Sequence, residues 1–152
     1  RAGKYSFMGR QGDKYMFEYF MKARYHETDQ MGIIHHSHYV KWMEDARVEY
    51  LNSIGAGYAQ IEKDGIVSPV VSLSVEYKSS VRFDDTVKIE VKISNYTGAT
   101  LEFDYKFYDL SSGMLCTVAH SKHCFEQDGR VISLRRSHPK YDLAMKDELN
   151  KE

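Results

Sequence analysis

The segment from His26 to His38 holds four of the seven histidines and two carboxylates within thirteen residues. Three interpretations of it are open. A solvated loop would use Asp29 for an Asx turn and Gly32 for a positive φ angle. A metal site would use the imidazoles and carboxylates as ligands, although no His-Glu-x-x-His pattern is present. A catalytic site would use Asp29 as its carboxylate, beside a helix N-terminus that polarises a carbonyl oxygen.

The rest of the chain offers no competing nucleophile signature. There is no Gly-x-Ser-x-Gly, and Cys116 and Cys124 both fall in the apolar run 114–125. If that run is one strand, the two cysteines are about 26 Å apart at ~3.3 Å per residue, whereas a disulfide needs Cα atoms within about 7 Å. We therefore predict two free thiols, which suit a reducing cytoplasm.

A helix is predicted directly after this segment. Its apolar stripe has the three- and four-residue spacing of an amphipathic helix and consists of Val40, Met43, Arg47, Tyr50, Leu51 and Ile54. Ser37 is the predicted N-cap, and Gly55 is the predicted stop signal. The stem of Arg47 can pack in the stripe while its charge finds a partner or solvent.

Strands are predicted on both sides of the helix. Residues 15–25 form an aromatic-rich first strand, and apolar and polar residues then alternate over 71–77, 87–93 and 101–107. A strand at 114–125 and a hairpin turning at Asp128-Gly129 into 131–134 follow. Alternation predicts a sheet with one buried face. The fold class is therefore α+β, with one long helix on a curved antiparallel sheet of about five or six strands.

The chain length of 152 residues favours a single domain. We predict that residues 1–13 are a flexible leader, that residues 14–136 are the folded domain, and that residues 137–152 are a charged tail. This tail would form a short exposed helix or fray. One helix leaves sheet edges and apolar surface that a second subunit can cover.

Charge and hydropathy exclude other functional classes. Lys and Arg number 21 against 22 for Asp and Glu, which gives a net charge of -1 and no footprint of a nucleic-acid-binding protein. No uncharged stretch approaches the ~20 residues of a membrane span, and no signal peptide is recognised at the start. We expect a soluble protein with no membrane span.

Three short motifs stand close together around Asp29 and at the start of the predicted helix: Thr28-Asp29-x-x-Gly32, His36-x-x-Tyr39 and Glu44-x-Ala46-Arg47. Together they resemble the signature of hotdog-fold acyl-CoA thioesterases. The group in question is the 4-hydroxybenzoyl-CoA thioesterase type, with its relatives associated with the bacterial Tol–Pal system. The resemblance extends over roughly residues 15–134 and includes the segment Val81-Arg82-Phe83-Asp84-Asp85.

The resemblance implies hydrolysis of an acyl thioester of coenzyme A or of an acyl carrier protein. Asp29 would be the nucleophile or general base, and the backbone N–H of His36 would hold the thioester oxygen. The His36 and Tyr39 side chains would line the substrate channel, and Gly32 would permit close backbone approach. The resemblance also implies a dimer-interface active site, a homotetramer built as a dimer of dimers, and neither metal nor cofactor.

The basic residues have two possible roles. Arg82 and the pair Arg135-Arg136 either bind the phosphates of coenzyme A or are solvated surface charges. Arg82 is the predicted substrate-binding residue among them.

Two other functions stay open. The first is that of an enoyl-thioester hydratase or dehydratase of the same fold. Such enzymes usually carry a histidine five residues after the aspartate, where this chain has Ile34. The other is non-catalytic binding of an acyl thioester.

Overall fold

A six-stranded antiparallel sheet is the largest element of the computed structural model, which describes residues 5–11 and 14–151. The strands are β1 (Tyr5–Gln11), β2 (Lys14–Lys22), β3 (Ile66–Val67), β4 (Val70–Tyr77), β5 (Thr86–Tyr96), β6 (Thr100–Asp109), β7 (Leu115–Cys124), β8 (Glu126–Gln127) and β9 (Arg130–Val131). The helices are α1 (Ser37–Ser53), α2 (Tyr58–Lys63), α3 (Leu134–Ser137) and α4 (Pro139–Leu149), with a 3-10 turn at Tyr25–Glu27. The main sheet has the order β1-β2-β5-β6-β7-β4, and β3, β8 and β9 form a small second sheet.

The long helix α1 packs on the buried face of the sheet, against β2 and β5. Its buried residues are Tyr39, Trp42, Met43, Ala46, Arg47, Tyr50 and Leu51. The predicted helix and its period are confirmed, but the buried face is displaced from the predicted stripe. Val40 is exposed, and the ring of Trp42 fills the core instead. Large apolar residues alone do not define a helix face, because aromatic residues with polar edges and small residues such as alanine also pack there.

Gly55 ends α1 as predicted. It has φ +78, and the N–H groups of Gly55 and Ala56 donate to the carbonyls of Asn52 and Leu51, which is a Schellman motif. The predicted N-cap is wrong by one residue. Ser37 is the first helical residue and His36 occupies the cap position.

The predicted alternation is confirmed in β5 and β6, and β7 alternates in the same way; the inward side chains of all three strands form the core with α1. It is wrong for β4, where Val71, Leu73 and Tyr77 are exposed and only Val75 is half-buried. β4 is an edge strand. Alternation identifies the face on which a side chain lies, but it does not show that another element covers that face.

The N-terminal segment departs from the predicted leader. Residues 5–11 form β1, which pairs with β2 in an antiparallel register. The remaining residues of the predicted leader, 1–4 and 12–13, lie outside the described residues, as does residue 152.

The C-terminal segment packs against the sheet, which corrects the prediction of an exposed or frayed tail. Tyr141 and Met145 of α4 are buried. Its acidic side chains are buried as well, because tyrosine hydroxyls of the main body donate to them: Tyr96 to Asp142 at 2.6 Å, and Tyr50 to Glu148 at 2.9 Å. Hydrogen bonding of this kind makes burial of polar groups possible.

Among the described helices, none combines the length and the apolar character needed to cross a membrane.

Candidate active site

The loop between β2 and α1 holds Asp29 at the first position of a tight turn. The Gly32 N–H donates to the carbonyl of Asp29 at 3.0 Å, and the Asp29 N–H donates to the carbonyl of Ile33 at 2.9 Å. Thr28 and Ile34 pair across the base of the turn. Gly32 has φ +77, a conformation that glycine adopts without strain. The backbone therefore fixes the position of Asp29.

The carboxylate of Asp29 uses only one of its oxygens within the loop. Oδ1 accepts a hydrogen bond from the Met31 N–H at 2.8 Å, which is the Asx turn of the solvated-loop interpretation. In the part of the chain that the structure describes, no donor reaches Oδ2. The turn and a catalytic role are thus compatible, because each needs a different oxygen.

The start of α1 presents an unpaired backbone N–H beside this loop. The N–H of Ser37 donates to Nδ1 of His35 at 3.2 Å, and that of His38 donates to the carbonyl of His35 at 3.0 Å. The N–H of His36 donates to no group among residues 5–11 and 14–151. At a helix N-terminus, with its partial positive charge, such a group can hold the oxygen of a polarised carbonyl.

A cavity of about 220 Å³ connects these groups. Three predicted site residues, Asp29, His36 and Tyr39, line it. Gly32 and Arg82 lie next to it, since Nη1 of Arg82 donates to the carbonyl of Gly32 at 3.4 Å. The other lining residues are Met31, Ile33, Ile34, Tyr77, Lys78, Ser79 and Ser80. The predicted site residues are therefore brought together, whereas the alternative pair Arg135-Arg136 is exposed on α3 and does not line the cavity.

Two tyrosines form the aromatic wall of the cavity. Tyr39 is buried, with its ring 5.0 Å from that of Tyr77 and 5.6 Å from that of Phe107. Burial raises the pKa of Tyr39 to about 12, so its hydroxyl stays protonated. The Tyr77 hydroxyl donates to the carbonyl of His36 at 2.9 Å and anchors the helix start. Sequence reasoning missed Tyr77 as a site residue, because it is 41 residues from His36.

Glu27 joins the loop to α1 and was also missed as a site residue. Its side chain is almost fully buried, and its two carboxylate oxygens accept hydrogen bonds from the Arg24 N–H at 2.8 Å and from Nε1 of Trp42 at 2.9 Å. Its backbone carbonyl accepts the N–H of His35 at 2.8 Å. Nδ1 of His38 lies 3.8 Å from the same carboxylate, but burial lowers the pKa of this histidine despite the acidic neighbour. The signal available in the sequence was the carboxylate two residues before Asp29.

The histidines do not converge on one point. Nδ1 of His35 bonds to the hydroxyl of Ser37 at 2.8 Å, and the rings of His35 and His36 lie 4.1 Å apart. Within the described ranges, no three His, Cys, Asp or Glu side chains are grouped as metal ligands would be. Ile34, at the position where the related hydratases carry histidine, is a buried apolar residue whose N–H donates to the carbonyl of Val81.

Comparison with known proteins agrees with this geometry. Residues 13–137 match the model of the thioesterase-like superfamily. The putative acyl-CoA thioesterase YneP of Bacillus subtilis is 33% identical over 126 residues, which are 82% of this chain and 91% of that protein. The acyl-CoA thioesterase YbgC of Haemophilus influenzae is 28% identical over 59% of this chain and 67% of its own length.

One solved structure is similar to this chain over most of the length of both proteins. The DHNA-CoA thioesterase from Staphylococcus aureus superposes with a TM-score of 0.82 at 32% identity, covering 86% of this chain and 88% of that one. The hotdog fold that the sequence motif implied is therefore confirmed. The chain belongs to the thioesterase-like superfamily.

Proposed function

We propose that this protein hydrolyses acyl thioesters of coenzyme A, with Asp29 as its catalytic carboxylate and the His36 N–H as the donor to the thioester oxygen. One observation carries the proposal: a free carboxylate oxygen and an unpaired N–H at a helix start flank one cavity of about 220 Å³. The name of YneP, a putative acyl-CoA thioesterase, and that of the Staphylococcus aureus protein, a DHNA-CoA thioesterase, support the same reaction.

The reaction needs only these two groups and water. The thioester oxygen accepts a hydrogen bond from the His36 N–H, which draws electron density from the carbonyl carbon. Oδ2 of Asp29 then either attacks that carbon, giving an anhydride that water opens, or takes a proton from a water molecule that attacks it. In both routes the C–S bond breaks, and the thiol and the free acid leave. Label in the Asp29 carboxylate after a single turnover in labelled water would establish the anhydride route.

Replacement of Asp29 by Asn tests the proposal. An amide keeps the acceptor for the Met31 N–H but neither attacks a thioester nor takes up a proton, so we expect thiol release to fall by about 100-fold or more with the melting temperature nearly unchanged. Asp128→Asn is the matched control, because Asp128 lies in the exposed turn between β8 and β9. Turnover is measured as free thiol across a panel of acyl-CoAs, and near-normal turnover by Asp29→Asn would refute the assignment. If the unaltered protein bound thioesters without turnover, this would favour the alternative of a non-catalytic binding protein.

Replacing Arg82 tests whether the thiol carrier of the substrate is coenzyme A rather than an acyl carrier protein. Its guanidinium is exposed beside the Asp29 loop, where it can bind phosphate groups. We expect Arg82→Gln to raise KM for acyl-CoA with little change in kcat. An equal effect on thioesters of pantetheine, which lack the phosphates, would contradict this role.

A homotetramer built as a dimer of dimers is part of the proposal. The edge strand β4 supports association, because it exposes Val70, Val71, Leu73 and Tyr77 and such edges are normally covered. The choice of a tetramer follows the family resemblance. Light scattering at micromolar concentration should give four times the chain mass of 17.7 kDa, and the mass of one chain would contradict it.

A cytoplasmic location is proposed on the state of the cysteines. Cys116 and Cys124 are both free, and free thiols are usual in reducing compartments. Cell fractionation would test the location, and recovery in a secreted fraction would contradict it.

A further inference from the structure

Two aromatic side chains lie exposed beside the Asp29 loop. Tyr25 is 75% exposed and Phe83 is 52% exposed, and their rings meet edge to face with centroids 5.5 Å apart. They are here called the aromatic pair. Neither ring lines the Asp29 cavity. Single apolar side chains scattered over a surface need no explanation, but two large rings that stay exposed in mutual contact are typical of a surface that binds a ligand.

The backbone holds the aromatic pair in position. The N–H of Ala23 donates to the carbonyl of Asp85 at 2.9 Å, and the N–H of Asp84 donates to the carbonyl of Ala23 at 3.0 Å. These bonds tie the segment that carries Tyr25 to the segment that carries Phe83. The two rings are therefore placed by the main chain, although neither is buried.

Arg82 connects the aromatic pair with the Asp29 loop. It precedes Phe83 in the chain, and it forms an isolated bridge with Ile33. Its guanidinium is exposed and lies against the loop, where Nη1 donates to the carbonyl of Gly32 at 3.4 Å. The surface therefore presents a guanidinium beside the cavity and two aromatic rings beyond it.

The carboxylates next to the aromatic pair are already engaged. Oδ1 of Asp84 forms an ion pair with Nζ of Lys22 at 3.2 Å, and Oδ2 of Asp85 accepts the N–H of Arg82 at 2.9 Å. An anionic group can approach the guanidinium with less repulsion than two free carboxylates would cause.

The size of the cavity indicates which part of a substrate would meet this surface. A volume of about 220 Å³ is too small for a whole thioester of coenzyme A, so its nucleotide must lie on the surface outside. A nucleotide needs a cation for its phosphates and a flat apolar surface for its base. Guanidinium groups bind phosphates, and bases stack on aromatic side chains. Arg82 and the aromatic pair supply both, in the order in which the phosphates and the base follow the pantetheine arm.

We propose that Tyr25 and Phe83 form the subsite for the adenine base of a coenzyme A thioester, with Arg82 on its phosphates. The inference rests on the proposed thioesterase function and names the surface that selects the thiol carrier. Stacking removes both rings from water, which is favourable. An acyl carrier protein presents no base to the aromatic pair and gains nothing from it.

Leucine substitutions test the aromatic pair. Tyr25→Leu and Phe83→Leu each keep an apolar side chain but remove a flat ring on which a base can stack. Titration calorimetry with free coenzyme A measures binding without turnover, and we expect each substitution to raise Kd by about 10-fold. KM for hexanoyl-CoA should rise by about the same factor. The difference in KM between hexanoyl-CoA and S-hexanoyl-pantetheine should therefore narrow, because the second substrate lacks the nucleotide.

Two further variants control the test. Tyr25→Phe restores the ring and should restore the binding of coenzyme A that Tyr25→Leu loses. Leu143→Ala removes an apolar side chain that is also exposed but lies on α4, and it should change neither Kd nor KM. Because the substituted side chains are exposed, the melting temperatures of all these variants should stay close to that of the unaltered protein.

The outcomes separate this inference from the proposed function. An unchanged Kd for coenzyme A in both leucine variants would overturn the inference while hydrolysis of hexanoyl-CoA continued. An equal rise in KM for both substrates would also overturn it, because the aromatic pair would then contact a part that they share. A lower assembly mass with an unchanged Kd would identify the pair as a contact between copies of the chain instead. Failure of the unaltered protein to hydrolyse any acyl-CoA would overturn the proposed function, and the inference with it.

Discussion

Replacing Trp42 with Phe tests the contact by which Glu27 attaches the Asp29 loop to α1. The change removes one of the two hydrogen bonds to a carboxylate that is 7% exposed. Hydrogen bonds to charged groups contribute about 1.5–3 kcal/mol, and the smaller ring adds about 1 kcal/mol of lost packing. We therefore expect the free energy of unfolding to fall by about 3 kcal/mol, which lowers the melting temperature by about 6–12 °C for a chain of this size.

The effect on catalysis follows from the position of Glu27. It lies two residues before Asp29, and its carbonyl accepts the N–H of His35 next to the helix cap. Loosening this contact should displace the carboxylate relative to the His36 N–H, so we expect kcat to fall more than KM rises. Denaturant unfolding and steady-state kinetics well below both melting temperatures measure the two effects.

Tyr50→Phe is the matched control for this prediction. It removes a buried hydrogen bond from Tyr50 to Glu148, again one to a carboxylate, but far along α1 from the loop. It should cost comparable stability and leave kcat unchanged. A double-mutant cycle of Trp42→Phe with Glu27→Gln should give a coupling energy of about 1 kcal/mol or more. Additive effects, or an equal loss of kcat in Tyr50→Phe, would refute the reasoning.

Three further predictions concern pH, metal and the C-terminal helix. Partial burial lowers the pKa of His120, but hydrogen bonds with Asp104 and Glu102 outweigh it and raise this pKa above 6.5. The stabilisation that protonated His120 gives to the folded state is therefore complete below pH 6.5 and is lost as the pH rises through the raised pKa. The free energy of unfolding of His120→Asn should lack this pH dependence. Thiol release should persist in a strong chelator, and loss that zinc restores would contradict the metal-free mechanism. Ending the chain at His138 should lower the free energy of unfolding by about 3–6 kcal/mol, since α4 buries two large apolar side chains, and an unchanged denaturation midpoint would contradict this.

Periodicity predicted the core of this fold well. The alternation over β5 and β6 predicted the buried face correctly, because these strands lie in the middle of the sheet, where α1 packs on them. The same pattern failed in β4, since an edge strand can alternate and still expose its apolar side chains. The charged composition of α4 concealed its packing, because the buried carboxylates of Asp142 and Glu148 accept hydrogen bonds from the hydroxyls of Tyr96 and Tyr50, which lie 46 and 98 residues away in the sequence.

The site was predictable only where its residues are neighbours in sequence. Asp29, Gly32, His36 and Tyr39 lie within eleven residues, and the family motif identified them together. Tyr77 and Ser79 line the same cavity, at and just beyond the end of β4, which is held in the sheet by its pairing with β7. No spacing rule marks them, because the register of two strands that are 37 residues apart in the chain has to be known first.

The solvated-loop and catalytic interpretations of Asp29, which the sequence presented as alternatives, are two aspects of one arrangement. The Asx turn engages Oδ1, and the bonds among Asp29, Gly32 and Ile33 fix the loop backbone. Those contacts leave Oδ2 without a partner in the described part of the chain, on a residue that lines the same cavity as the helix start at His36. A carboxylate held in place before the substrate arrives needs little reorganisation during the reaction, which is the condition under which electrostatic stabilisation of a transition state is most effective. In the proposed mechanism, the turn that makes the loop an ordinary structural motif is therefore also what holds Asp29 ready for catalysis.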